Sequence, residues 1–126
     1  MTAAAPARYP YPAPIDSYGN GGFRFAGMSH KGSILALPSG IHAWSVADAD
    51  ALTAADFVTV LADAGRLEFV LLGTGAGLVL PSAAVRALFA SAGIGIEPMS
   101  TGAAARTYNI LLGERRAVGA ALIAVD

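Results

Sequence analysis

The pattern of apolar positions is least interrupted at Phe69-Val-Leu-Leu-Gly-Thr-Gly-Ala-Gly77, where a run without polar alternation stops in a glycine-rich loop. Such a run predicts a strand buried on both faces, and so the centre of a sheet. Upstream, Phe23-Arg-Phe-Ala-Gly-Met28 places Phe23 and Phe25 on one face, Ser29-His-Lys-Gly32 reads as turn chemistry, and Ser33-Ile-Leu-Ala-Leu37 reads as a strand. Together they predict an antiparallel hairpin. After the break at Pro38-Ser-Gly40, Ile41, Ala43 and Ser45 alternate with His42, Trp44 and Val46. A third short strand follows from this, completing an N-terminal β-layer, with Trp44 packing between layers. Ile15 to Gly22 reads as a turn-rich approach.

Helical periodicity takes over at Thr53-Ala-Ala-Asp56, which has the spacing of a capping box, with Leu52 and Phe57 as its hydrophobic staple. Phe57, Val60, Leu61 and Ala64 then share a face, and Gly65 is the expected stop. Ser82 is placed to cap a second helix carrying Val85, Leu88, Phe89 and Ala92, ended by Gly93. Ile94-Gly-Ile-Glu97 is expected as a parallel strand ended by Pro98. A third helix, aligning Ala104, Tyr108 and Leu111 or Leu112, is predicted over 103–112 with Gly113 as terminator, and Ala117 to Val125 is a final buried strand. Helix, tight turn and buried strand in succession make the fold class α/β with a βαβαβ C-terminal half. Residues 15–126 are read as one domain. Residues 1–14, holding Pro6, Pro10, Pro12 and Pro14, are read as a disordered or extended arm, a mobile tail in preference to one laid on the surface.

Composition narrows the function classes. The chain is 55% hydrophobic and only 13% charged, which leaves apolar surface and favours a protein partner or self-association. Its eight basic residues are scattered against nine acidic ones, so no nucleic-acid footprint is expected. With no cysteine and two histidines, disulfides, thiolate metal sites and a cysteine nucleophile are excluded, and no metal or cofactor is expected. His30 reads as a solvated turn residue and His42 as a strand residue at a surface. No Gly-x-Ser-x-Gly elbow supports a hydrolase, although a Ser-His pair assembled by the fold stays open. The first ten residues lack the basic and apolar regions of a signal peptide and no run is long enough to span a membrane, so a soluble cytoplasmic protein is expected.

Two stretches could carry chemistry. Gly73, Thr74 and Gly75 begin a loop that invites comparison with a dinucleotide fingerprint, with Glu97 as its acidic residue. Leu78 stands where the third glycine belongs, and the helix begins near Ser82. A structural turn is the stronger reading. Ser100, Thr101, Arg106, Thr107 and Asn109 put hydroxyls, an amide and a guanidinium near a helix N-terminus, a combination able to hold a small anion. The plainer alternative makes Thr101 a helix cap and Asn109 a partner of backbone groups. If the strands before them are neighbours, both stretches share one rim.

Ile15-Asp-Ser-Tyr-Gly-Asn-Gly-Gly-Phe-Arg-Phe-Ala-Gly, His30-Lys-Gly-Ser-Ile, Leu71-Leu-Gly-Thr-Gly75 and Glu97-Pro-Met-Ser-Thr-Gly-Ala-Ala-Ala-Arg-Thr-Tyr-Asn109 together resemble the Mth938-like domain. That small domain is shared by bacterial and archaeal proteins of unknown function and by the mitochondrial complex I assembly factor 3 of animals. The likeness runs from about Ile15 to Val125. It implies a three-layer α/β domain around a central mixed sheet, with no established activity or cofactor. It also implies, in mitochondria, a role in assembling membrane-linked respiratory subunits. Gly73, Thr74, Gly75, Thr101, Arg106, Thr107, Tyr108 and Asn109 match its motif positions, whereas Leu78-Val79-Leu80 and 103–105 are more apolar than a polar rim of that family.

The expected function is therefore a non-enzymatic protein-binding or assembly module, with respiratory-complex subunits as candidate partners. The alternative is a small-anion or metabolite binder, or an enzyme, using the 73–77 and 100–109 rim.

Overall fold

The computed structural model describes residues 7–126. Ile15–Gly19 (β1), Gly22–Phe25 (β2) and Met28–Lys31 (β3) form an antiparallel meander. Ser33–Leu37 (β4) and Gly40–Trp44 (β5) form a hairpin that belongs to a second, five-stranded sheet. Phe69–Gly73 (β6), Gly95–Met99 (β7) and Val118–Leu122 (β8) complete it in the order β5-β4-β8-β6-β7. β6 runs parallel to both β7 and β8, and β4 antiparallel to β8. The helices among the described residues are Val58–Ala62 (α1), Ala83–Ala92 (α2) and Thr101–Gly113 (α3), so the second half reads β6-α2-β7-α3-β8.

Alternation along the strands divides the interior into two cores, because successive side chains point to opposite faces of a sheet. Ile34, Ala36, Leu71, Ala120 and Leu122 face Phe23 and Phe25 of the meander and Ala104, Ala105 and Tyr108 of α3. Leu35, Leu37, Val70, Leu72 and Ala121 face Phe57, Val60, Val85 and Phe89. The central mixed sheet is thus the middle of three layers, as the resemblance implies. On the α2 side, Phe57 and Phe89 stack edge to face at 5.0 Å, and the Trp44 indole donates to the Asp56 carbonyl at 2.8 Å.

The strands differ from the expected pattern in five places. The hairpin predicted between residues 23–28 and 33–37 does not form, since β2 pairs with β1 and β3 while β4 pairs with β5 and β8. Burial explains it: all five residues of β4 are buried, which requires a sheet covered on both faces, whereas Arg24 gives β2 one wet face. Ser29, His30 and Lys31 lie in β3 instead of a turn, and the turn-rich approach over 15–22 contains β1. The middle strand is β8, with β6 beside it. Pro98 does not end its strand but pairs with Leu72, tolerated because β7 is an edge and proline lacks only the donor that an edge can spare.

The first helix is shorter than its pattern. The capping box forms, with Asp56 accepting from the Thr53 backbone at 2.8 Å, but Ala54–Phe57 and Ala64–Arg66 are 3-10 turns around the five-residue α1. Gly65 lies inside the last of these turns. In α2 the expected caps hold, with Ser82 accepting from the Val85 N–H and Gly93 left-handed at φ 72. Of the N-terminal arm, Met1 to Pro6 lie outside the described residues. From Arg8 the chain is extended and laid on the domain in place of the mobile tail: the Tyr9 N–H and C=O bond the Ile41 backbone, and Ala13 is buried.

Tyr108 is fully buried, its hydroxyl has no hydrogen-bond partner among the described residues, and burial pushes its pKa up to about 12. Phenylalanine would keep the ring and remove an unpaired polar group. Tyr108→Phe is therefore expected to leave stability unchanged or raise it by about 1 kcal/mol, read from the denaturant midpoint. A clear loss would show that the hydroxyl is satisfied after all.

Candidate functional site

The carboxyl ends of the three parallel strands lie side by side, because Gly73 is in register with both Met99 and Leu122. The two candidate stretches leave the sheet there and are bonded to one another. Thr101 is completely buried; its hydroxyl donates to the Ile123 carbonyl at 2.7 Å and accepts from the Gly75 N–H at 3.0 Å. The Thr101 N–H returns to the Gly75 carbonyl at 2.8 Å. Thr74 donates its hydroxyl proton to the Gly77 carbonyl at 2.6 Å, with the Met99 carbonyl at 3.1 Å, and accepts from the Val79 N–H. Gly73 has no room for a side chain, since a Cβ there would stand 2.9 Å from the Leu122 side chain and 3.0 Å from the Thr101 Cα. One threonine thus closes the glycine loop and the other joins it to the start of α3.

The cap of α3 is Ser100, whose hydroxyl accepts from the Ala103 N–H, and not Thr101, which already lies in the first turn. Thr107 donates back to the Ala103 carbonyl within the helix at 2.8 Å. Asn109 grips the backbone of Ile15 with both ends of its amide, at 2.8 Å each, and so ties β1 to α3. The backbone role for Asn109 is the one the structure draws. Arg106 is exposed on α3 and forms no ion pair among the described residues.

Above the joined loops lies an open cleft of about 690 Å³, bordered by Thr74, Gly75, Ser100 and Arg106 together with Tyr18 and Asp48. Four of the eight candidate residues therefore border one space, Gly73 and Thr101 lie in the frame beneath it, and Thr107 and Asn109 serve the helix and the meander. Sequence reasoning missed Tyr18 and Asp48. Tyr18 had a signal: Gly102 sits in the first turn of a helix, where glycine is costly unless something approaches closely. The Tyr18 ring is what approaches, and a Cβ on Gly102 would collide with its hydroxyl. Asp48 had none, because it is brought there by the turn after β5.

Neither histidine sits as expected. His30 is half-buried in β3, where burial, opposed by a hydrogen bond with the Ser33 backbone and helped by the Arg8 charge, lowers its pKa. His42 is buried and its Nε2 lies 2.9 Å from the Ser39 hydroxyl in the β4–β5 turn. In the same turn Asp63 accepts from the Ser39 N–H at 2.8 Å. The group fastens a turn. Among the described residues no three His, Asp or Glu side chains converge as metal ligands, and no helix is long and apolar enough to cross a membrane.

Solved structures share this fold, and curated proteins are similar to the chain in sequence. A crystal structure of a Bartonella henselae protein, described as an outer membrane protein, superposes with a TM-score of 0.91 at 47% identity over 94% of this chain and 100% of that one. A Bordetella pertussis protein, described as a Mth938-like domain, superposes with a TM-score of 0.71 at 29% identity, over 98% and 91%. An uncharacterised protein of Rhodobacter capsulatus is 39% identical over 87% of this chain and 83% of its own length. The mouse NADH dehydrogenase [ubiquinone] 1 alpha subcomplex assembly factor 3 is 32% identical over 93% of this chain, which spans 63% of that relative. A family model described as protein of unknown function (DUF498/DUF598) matches residues 15–123, and the chain belongs to that family.

Proposed function

We propose that the chain is a non-enzymatic docking module that holds a protein partner beside the cleft, and that its partners are respiratory-complex subunits during assembly. The observation that carries this reading is the segment leaving the glycine loop: Leu78 is 61% exposed and Leu80 68% exposed, two large apolar side chains held in water within three residues. Val79 between them borders the cleft, and Pro81 behind them is buried, so the segment is anchored at its base. Exposed leucines on a fixed loop suit a partner's apolar pocket. The hydroxyls that would recognise a small polar substrate are already bonded within the frame. The mammalian relatives named as assembly factors support the same direction.

Affinity capture from detergent-solubilised native membranes, followed by mass spectrometry, tests the proposal. The wild-type chain is expected to retain a respiratory-complex subunit, and Leu78→Ser with Leu80→Ser to lose at least about 90% of it, since burying two leucines contributes roughly 1.5–3 kcal/mol each. The variant's melting temperature should be unchanged, because both side chains are exposed. Equal retention by both proteins would defeat the proposal.

A second reading, a small anion held in the cleft, rests on Arg106, which borders it without an ion pair among the described residues. Asp48 on the same border opposes it.

A further inference from the structure

The meander has an inner face of Phe23 and Phe25 packed on the core and an outer face on which Ser17, Arg24, Ser29 and Lys31 are exposed. Register places Ser17, Arg24 and Ser29 in one row across the three strands, and Gly19, Gly22 and Lys31 in the next. The glycines are fixed by the backbone: Gly19 has φ +130, and a Cβ on Gly22 would collide with the His30 carbonyl. Their consequence is a floor with no side chains between a guanidinium and an ammonium. The resulting hollow has a volume of about 420 Å³ and is bordered by Ser17, Arg24, Ser29 and Lys31, with no Asp or Glu on its border. Neither Arg24 nor Lys31 forms an ion pair among the described residues.

We infer that this hollow binds a small tetrahedral oxyanion, inorganic phosphate or the phosphate of a small monoester, with Arg24 as the principal ligand. Arg24 supplies a planar fork of donors and Lys31 a point charge, a division of labour suited to a dianion. The hydroxyls of Ser17 and Ser29 stand on either side of Arg24 and complete a set of donors arriving from several directions, which matches four oxygens better than the two of a carboxylate. A sheet face of this kind offers side chains on a rigid base, so little ordering is needed on binding. The site lies apart from the leucine segment, and its existence does not depend on the docking function.

An amide-resolved NMR titration of the whole chain with inorganic phosphate at pH 7, at constant ionic strength and against a chloride control, tests it. The amide signals of Ser17, Arg24, Ser29 and Lys31 are expected to move saturably with a Kd of about 1 mM or tighter. Arg24→Gln should weaken binding at least about tenfold and Lys31→Gln should also weaken it, while Arg86→Gln, on the exposed face of α2, leaves it unchanged. Both substitutions fall on exposed positions, so unchanged spectra elsewhere verify the fold. Absence of saturation, equal shifts with chloride, unaltered binding by Arg24→Gln, or shifts centred on Ser100 and Arg106 would each overturn the assignment.

Discussion

Thr101→Val is expected to lower stability by about 2–4 kcal/mol, an effect out of proportion to the replacement of one hydroxyl by a methyl. Valine fills nearly the same volume, so no cavity opens. What is lost is the donor to the Ile123 carbonyl and the acceptor of the Gly75 N–H, at a residue with no exposed surface. The Ile123 carbonyl would be left without its bond where the hydroxyl bond is buried, at a cost of roughly 1–3 kcal/mol, and the half-buried Gly75 N–H would lose its partner at the edge of the cleft. Thr101→Ser, which keeps the hydroxyl, should retain most of the stability. Urea unfolding of both variants checks the pair. Equal losses would mean that the methyl, and not the hydrogen bonds, holds the loops.

Phe89→Ala is expected to cost about 3–5 kcal/mol, the largest effect of any single truncation on the α2 side of the sheet. Phe89 is fully buried among Phe57, Val85, Leu72 and Val70, and its ring meets Phe57 edge to face. Alanine removes the ring from a region where α1 has only five residues and little hydrogen bonding of its own to keep it in place. The loss should therefore reach Trp44, which contacts the same Phe57 ring at 5.8 Å. A red shift of the native tryptophan emission accompanying the fall in melting temperature would show it. A stability loss below about 1 kcal/mol would mean that the helical layer collapses readily into the space.

The elements that proved legible were those whose pattern had one interpretation. Ser82 and Gly93 bracket α2 because a cap and a left-handed stop are chemical signals independent of the rest of the fold. β6 and β8 were readable as uninterrupted apolar runs, which only a covered sheet can accommodate, whereas β7 carries Glu97 and Pro98 and lies at the edge. The N-terminal half was misassigned where nearness in sequence was taken for pairing. Gly32, at φ 97, turns the chain out of the meander, so residues on either side of it enter different sheets. The contrast between Arg24 in β2 and the wholly apolar Ile34-Leu-Ala-Leu37 already carried that distinction.

For the rim, residue type pointed to the right place and to an incomplete role. Threonine next to glycine at a strand end reads equally as an anion ligand or as a fastening for the loop. Only the tertiary partners, Ile123, Met99 and Gly75, decide which groups remain available. Asn109 belongs to the same case, its amide being matched to Ile15 across 94 positions of sequence. The exposed pair Leu78 and Leu80 was visible as an apolar departure from a polar rim, but its exposure depends on the loop being bonded in place beneath it.

The claim on which this account turns is that the strand-end loops form a closed frame, and native-state amide exchange of Gly75 and Thr101 measures it most directly. Their N–H groups are expected to exchange as slowly as those of β8, with free energies of opening near that of global unfolding. Exchange through a local opening several kcal/mol easier than unfolding would contradict the closed frame and make the loops a mobile mouth.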